Sequence, residues 1–212
     1  MVSSFKQQME HIAGEKAPGP STTFSAFHIF YALELMAEKP IGRNRLAEKL
    51  NVGDGAIRTI INHLRGEGLI VAAKEGCSLT EKGTQVWERF EALFPQRGEV
   101  ARTELTNAVH NYGFLVKGSG GKVKSGIEQR DAAIIAGAKR ATVIVSRKGG
   151  LCIQSVSDDI AKDFPKAAEL ILKNFKPEDN DVLVVAGADS VLRAKQGAFA
   201  AAWSLVDEAG KT

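Results

Sequence analysis

Arg58 and Asn62 stand one helical turn apart, and the apolar residues between them decide what that pair can do. Ile57, Ile60, Ile61 and Leu64 recur at i, i+3, i+4 and i+7, which predicts an amphipathic helix from Gly55 to about Arg65. Burying that stripe turns Gly55, Ala56, Arg58, Thr59 and Asn62 the other way. An arginine fork matches the O6 and N7 acceptors of guanine, and an asparagine amide can read adenine or hold a phosphate. A helix with one face to dock and one polar face suits a DNA major groove, its N-terminal residues deepest. Asp54 is the expected N-cap. It also stands four residues before Arg58, so an ion pair within the helix is the competing use of that arginine. A plain solvated face is the third reading.

A second set of candidates lies past the middle of the chain. Lys117, Lys122, Lys124 and Arg130 gather around Gly118-Ser119-Gly120-Gly121, followed by Ser125-Gly126 and a predicted helix. Free backbone N–H groups and a helix start favour an anion. The phosphate-loop pattern fails, because Ser119 stands where the lysine belongs after Gly113 and Gly118. A flexible loop with solvated lysines is the alternative. Asp189, Ser190 and Arg193 follow a predicted strand, where α/β sheets collect ligands; Asp189 or Ser190 can instead cap the next helix. The expected ligand-binding residues are therefore Lys122, Lys124, Ser125, Arg130, Asp189 and Arg193.

Other chemistry finds little support. The chain has 212 residues with two cysteines, Cys77 and Cys152, each inside a strand-like apolar stretch. That excludes a disulfide scaffold and a Cys-rich zinc cluster. The four histidines, His11, His28, His63 and His110, have no ligand spacing, and no nucleophile–base arrangement stands out. No metal, cofactor or catalytic activity is expected. No apolar run approaches the length of a membrane span and the first ten residues carry no signal-peptide core, so a soluble, reducing, cytoplasmic setting is expected. The net charge of +3 is too small to announce nucleic-acid binding by itself. Its distribution is more informative. Residues 41–65 hold five bases against two acids, whereas residues 66–94 hold three bases against five acids.

The elements that must position these groups follow from periodicity and breakers. Phe5 to Ile12 is one or two helical turns or a frayed arm. Ala17-Pro18-Gly19-Pro20 marks a boundary. Thr23 to Pro40 encloses a helix apolar nearly all round, which must be covered by its own domain and by a partner chain. Arg43–Leu50 is a second helix, with Arg43, Asn44 and Arg45 at its start as phosphate contacts. Gly53 is expected to supply the positive φ of the turn before the Arg58 helix. Leu69–Ala73 and Cys77–Leu79 read as a ribbon with Lys74 at its tip, and Thr80–Phe94 as a helix with Val86, Phe90 and Leu93 on one face and Trp87 and Phe94 on another. Beyond it, strands are expected at 105–109, 113–117, 141–146, 151–154 and 182–186, and helices at 127–138, 161–175 and 190–208.

Helix, helix, tight turn, helix, hairpin, helix describes a winged helix-turn-helix. The runs Gly42–Gly53, Ala56–Leu64, Glu67–Ile70 and Leu79–Gly83 resemble prokaryotic winged-helix regulators. Together with Ala17–Ser21, Gly53–Thr59 and Ile127–Ile134 they resemble an uncharacterised archaeal family that pairs a winged helix with a C-terminal domain of unknown function, number 4443. The resemblance implies an archaeal transcriptional regulator and names neither operator nor ligand. The expected class is α+β: an arm (1–20), a winged helix-turn-helix (21–95), and a small mixed α/β sheet domain (103–212) that binds a ligand or mediates assembly. The expected partners are double-stranded DNA, a small anionic effector and a second copy of the chain, through the first long helix, the fourth, or the C-terminal one around Phe199 and Trp203. The alternatives are an enzyme of nucleotide or cofactor metabolism fused to a winged helix, and a winged helix that docks proteins.

Overall fold

The computed structural model describes residues 4–14, 24–105, 107–148 and 150–207. It divides into two compact units, one drawn from Met1–Glu91 with Asp207–Thr212 and one from Ala92–Val206. The proline-bounded segment 17–20 lies outside the described residues.

In the first unit, helices α1 (Phe5–Ile12), α2 (Ala26–Glu38), α3 (Arg43–Leu50) and α4 (Asp54–Gly66) precede a two-stranded antiparallel ribbon, β1 (Ile70–Ala73) and β2 (Gly76–Leu79). Helix α5 (Glu81–Leu93) follows. Helix α1 is no frayed arm. Ser4 and Gln7 cap it reciprocally, and Phe5, Met9 and Ile12 are buried. Phe5 meets Phe90 edge-on at 4.8 Å.

That contact changes the account of α2. Phe27, Ile29, Phe30 and Leu33 are buried, as an all-round apolar helix requires. The cover is intramolecular: Phe30 packs against Phe90 at 5.2 Å and Trp87 at 5.7 Å. Trp87 and Phe90 thus form the buried stripe of α5, and Val86 is only partly buried. The apolar excess that called for a partner chain is spent inside the unit. Two local expectations also change. Asn51, at the C-cap of α3, takes the left-handed conformation (φ 53°), while Gly53 stays at φ −71°. Asparagine tolerates that region, and a helix C-cap commonly demands it. Gly53 is the N-cap, so Asp54 sits inside the first turn of α4. Glycine is needed at Gly83 instead: a Cβ there would stand 2.0 Å from the Leu69 carbonyl oxygen, where α5 leaves the ribbon.

The second unit is built on one five-stranded sheet in the order β3-β4-β7-β5-β6. These are Arg97–Glu99, His110–Val116, Val182–Ala188, Arg140–Arg147 and Gly150–Cys152. The expected small domain of strands mixed with helices is present; every neighbouring pair is antiparallel, which makes it α+β, and the rule that ligands gather beyond parallel strand ends has no footing. Side chains alternate along the strands. Phe114 and Val184 face α9 (Val191–Ser204), where Phe114 meets Phe199 at 5.9 Å, while α6 (Ile127–Ile135) packs against α9 and β5. Leu115, Ile144, Leu183 and Val185 join Ile171 and Phe175 on the opposite face, covered by α8 (Pro165–Asn174) and the short α7 (Ile160–Asp163). The helix expected over 161–175 is two helices, because Pro165 starts a new one at its first position. The described residues of the strand expected over 105–109 form no strand: Leu105 packs on the core while Val109 is 78 % exposed. Phe94, Phe199 and Trp203 pack on one another, so those offered assembly surfaces are also covered within the chain.

His28 carries a pH dependence for the first unit. It is buried in α2, and its Nδ1 accepts the Ser25 backbone N–H at 3.0 Å. Burial pushes its pKa from 6.5 to about 4. A depressed folded-state pKa means the stabilisation is complete above 6.5 and drains away as the pH falls towards about 4. Denaturation titrations should show the native protein losing roughly 3 kcal/mol more than His28→Gln across that window. Gln can still accept the capping hydrogen bond at this position. Equal acid sensitivity of the two proteins would show that His28 does not titrate as stated.

Candidate functional site

Two regions gather the expected residues. The first is α4 with the start of α3. Ile57, Ile60, Ile61 and Leu64 are buried, as their spacing predicts. Arg58 and Asn62 are exposed, as is Gly55; Ala56 and Thr59 are half-buried. Arg43, Asn44 and Arg45 open α3 and are exposed, and Lys74 is exposed in the ribbon turn. The competing use of Arg58 is realised, for its Nη2 lies 2.8 Å from Asp54 Oδ2. With side chains 60 % and 62 % exposed, that pair adds at most about 1 kcal/mol and remains available to a stronger anion. Thr59 donates its hydroxyl to the Gly55 carbonyl at 3.1 Å, which leaves it only lone pairs to offer.

The second region separates residues that the sequence grouped. The glycine loop does not present its glycine N–H groups as a free cradle, because all three are already used. Gly118 N–H donates to Asp181 Oδ1 at 3.0 Å, Gly120 N–H to the Asn180 carbonyl at 2.8 Å, and Gly121 N–H to Asn180 Oδ1 at 3.0 Å. Lys117 donates to Asp181 Oδ2 at 2.9 Å and also pairs with Glu178. Lys122 donates to the Leu205 carbonyl at 2.9 Å, and Lys124 points to solvent. Asp189 pairs with Lys139 at 2.7 Å; Ser190 is the N-cap of α9, accepting the Arg193 N–H. Arg193 itself is exposed.

Ser125 and Arg130 do come together. With Gly126, Thr142, Val143 and Ile153 they line a cleft of about 350 Å³ beside β5. Its geometry has two causes. Strand β6 pairs only with Val145, Ser146 and Arg147, so no described strand covers Ala141–Ile144 on that side. Gly126, at φ 76°, brings the start of α6 against β5, where a Cβ would lie 3.3 Å from the Val143 Cβ. The opposite wall is the turn at Ile153–Val156, closed by the Ile153 to Ser157 bridge. Thr142, Ile153 and Gln154 carry no motif, and the sequence offers no signal for them. Among the described residues no cluster of His, Cys, Asp and Glu could hold a metal ion, and no helix is long and apolar enough to cross a membrane.

The family of the second half is now testable. Residues 108–205 match a domain of unknown function, DUF4443. The resemblance to domain 4443 is thereby found, and residues 29–85 separately match the PH0730-like N-terminal domain. In structure the chain is similar to hypothetical protein PH0730 from Pyrococcus horikoshii OT3, with a TM-score of 0.71 and 24 % identity over 86 % of this chain and 92 % of that one. At that identity the likeness shows the fold. A search of curated proteins finds no match.

Asp181 is the residue that sequence reasoning missed. It is 1 % exposed, and besides Lys117 and Gly118 it accepts the Glu178 N–H at 2.8 Å. Burial alone would raise its pKa, but the hydrogen bonds from Gly118, Lys117 and Glu178 outweigh burial and hold the carboxyl below its ordinary value. The depressed value makes this stabilisation complete at neutral pH and lost as the pH drops below about 4. Asp181→Ala should cost about 2–3 kcal/mol and speed amide exchange at Gly118 and Glu178, the two N–H groups it accepts. Unchanged exchange at those two amides would remove Asp181 from its role as the loop's latch.

Proposed function

We propose that the chain is a DNA-binding transcriptional regulator whose first unit is a winged helix-turn-helix, with α4 entering the major groove and the β1–β2 ribbon as the wing. The reading rests on the two-sided helix α4: a closed apolar stripe on one side, and Arg58 and Asn62 exposed on the other. Charge supports it, since the exposed bases Arg43, Arg45, Lys49, Arg58 and Arg65 sit on α3 and α4. On this reading Arg58 leaves Asp54 to reach a guanine edge, Asn62 contacts a base or phosphate one turn on, and Arg43, Asn44 and Arg45 hold the backbone. Gly55 and Ala56 allow close approach, Thr59 accepts, and Lys74 reaches a phosphate from the wing. The second unit supplies effector binding or assembly, and neither unit is assigned a reaction. Two half-sites imply a homodimer, through a surface other than the covered aromatic stripes. Light scattering at tens of micromolar checks it, and a monomer alone or on DNA would remove the two-fold part of the reading.

Selection of bound genomic fragments should yield a specific site. On that site Arg58→Ala should cost about 1–3 kcal/mol and relax sequence preference. Arg43→Ala or Arg45→Ala should weaken specific and scrambled duplexes alike and lower the salt slope by about one. If Arg58→Ala weakens both duplexes by the same factor, Arg58 reads no base. If no duplex shifts at low salt, the unit is not a DNA reader.

A further inference from the structure

The cleft beside β5 has a chemistry of its own. Its volume of about 350 Å³ falls at the lower end of the roughly 300–1,000 Å³ typical of small-molecule sites. Its floor and walls are mainly apolar, from Leu105, Val143, Ile153 and the methyl of Ala141. Two large apolar side chains stand at it unusually exposed, Val156 at 69 % and Ile127 at 51 %. Exposed apolar groups that converge on a concavity mark a surface that gains by being covered. Arg130 is the one charged residue among those lining it, and no carboxylate lines it. The only contact described for that guanidinium is with its sequence neighbour Asp131, at 3.1 Å and 3.3 Å with both side chains more than half exposed. Such a pair yields readily to a carboxylate that can align both its oxygens with the fork. Ser125 and Gln154 add neutral polar groups, and the uncovered edge of β5 at Ala141–Ile144 adds backbone ones.

We propose that this cleft binds a small organic monoanion with an apolar body, an aryl or branched-chain carboxylate. Arg130 takes the carboxylate and the Val143–Ile153–Val156 wall takes the body. The proposal deepens the reading of the second unit as an effector-binding part. It does not depend on α4 binding DNA, and its test contains no DNA, so the two can fail separately.

The test uses the full chain with phenylacetate as probe, followed by calorimetry, and phenylacetamide and inorganic phosphate as controls. Phenylacetate should bind in the micromolar range, and each control at least tenfold more weakly, since one lacks the charge and the other the apolar body. Arg130→Gln should weaken phenylacetate at least tenfold while leaving phenylacetamide unchanged. Val156→Glu, at a position exposed enough to keep the fold, should weaken phenylacetate at least tenfold by placing a like charge on the wall. Ile135→Asp removes an 87 % exposed apolar residue of α6 that does not line the cleft, and should change nothing. The proposal is overturned if phenylacetate does not bind below millimolar concentration, if phosphate binds as well, or if Ile135→Asp alone abolishes binding.

Discussion

Strand β7 has no residue that can face water. All seven positions from Val182 to Ala188 are buried, and both its edges are paired, to β4 and to β5. A strand apolar on both faces obliges the chain to lay helices on each side of the sheet, and α9 and α8 answer that demand. The entry to β7 is just as constrained. Asp181, one residue before the strand, must satisfy a buried carboxylate, and it does so by seizing Lys117 and Gly118 at the end of β4. One apolar strand and the carboxylate that precedes it therefore organise most of the second unit, including the loop that sequence patterns offered as an anion site.

The first unit depends on a different economy, aromatic packing around Phe30, Phe90 and Trp87. Ring pairs at 5–6 Å hold α2 and α5 together, and α1 completes them through Phe5. His63 ties α1 to α4, its Nδ1 lying 2.7 Å from the Ile12 carbonyl oxygen. The stripe of α4 is thus seated in a rigid surround, while its other face stays polar and open.

How much of this was legible in the sequence differs by the range of the interaction. The four apolar positions of α4 were readable because a helix repeats locally, every 3.6 residues. So were the ribbon and the all-apolar α2. The exchange of roles between Asn51 and Gly53 was not, since both residues tolerate positive φ and the choice depends on where α3 ends. The order of the sheet was hidden as well. Strands β4 and β7 are some seventy residues apart, and nothing in a strand's own alternation names its partner. The glycine loop failed for a related reason: whether an N–H is free depends on Asn180 and Asp181, some sixty residues downstream. Of the second candidate site, Ser125 and Arg130 were legible as polar residues near a helix start, whereas Thr142, Val143 and Ile153 join them only through the unequal lengths of β5 and β6.

That inequality has a consequence for how such a fold can vary. Strand β6 has three residues and β5 has eight, so the hairpin leaves part of its own longer arm bare. The far wall of the cleft belongs to a surface turn that shares no hydrogen bonds with β7. Lengthening β6 by two residues would close the concavity, and exchanging side chains at positions 153–156 would reshape it, with the buried strand and its two helical layers untouched. The scaffold and the hollow it carries are thereby free to drift at separate rates.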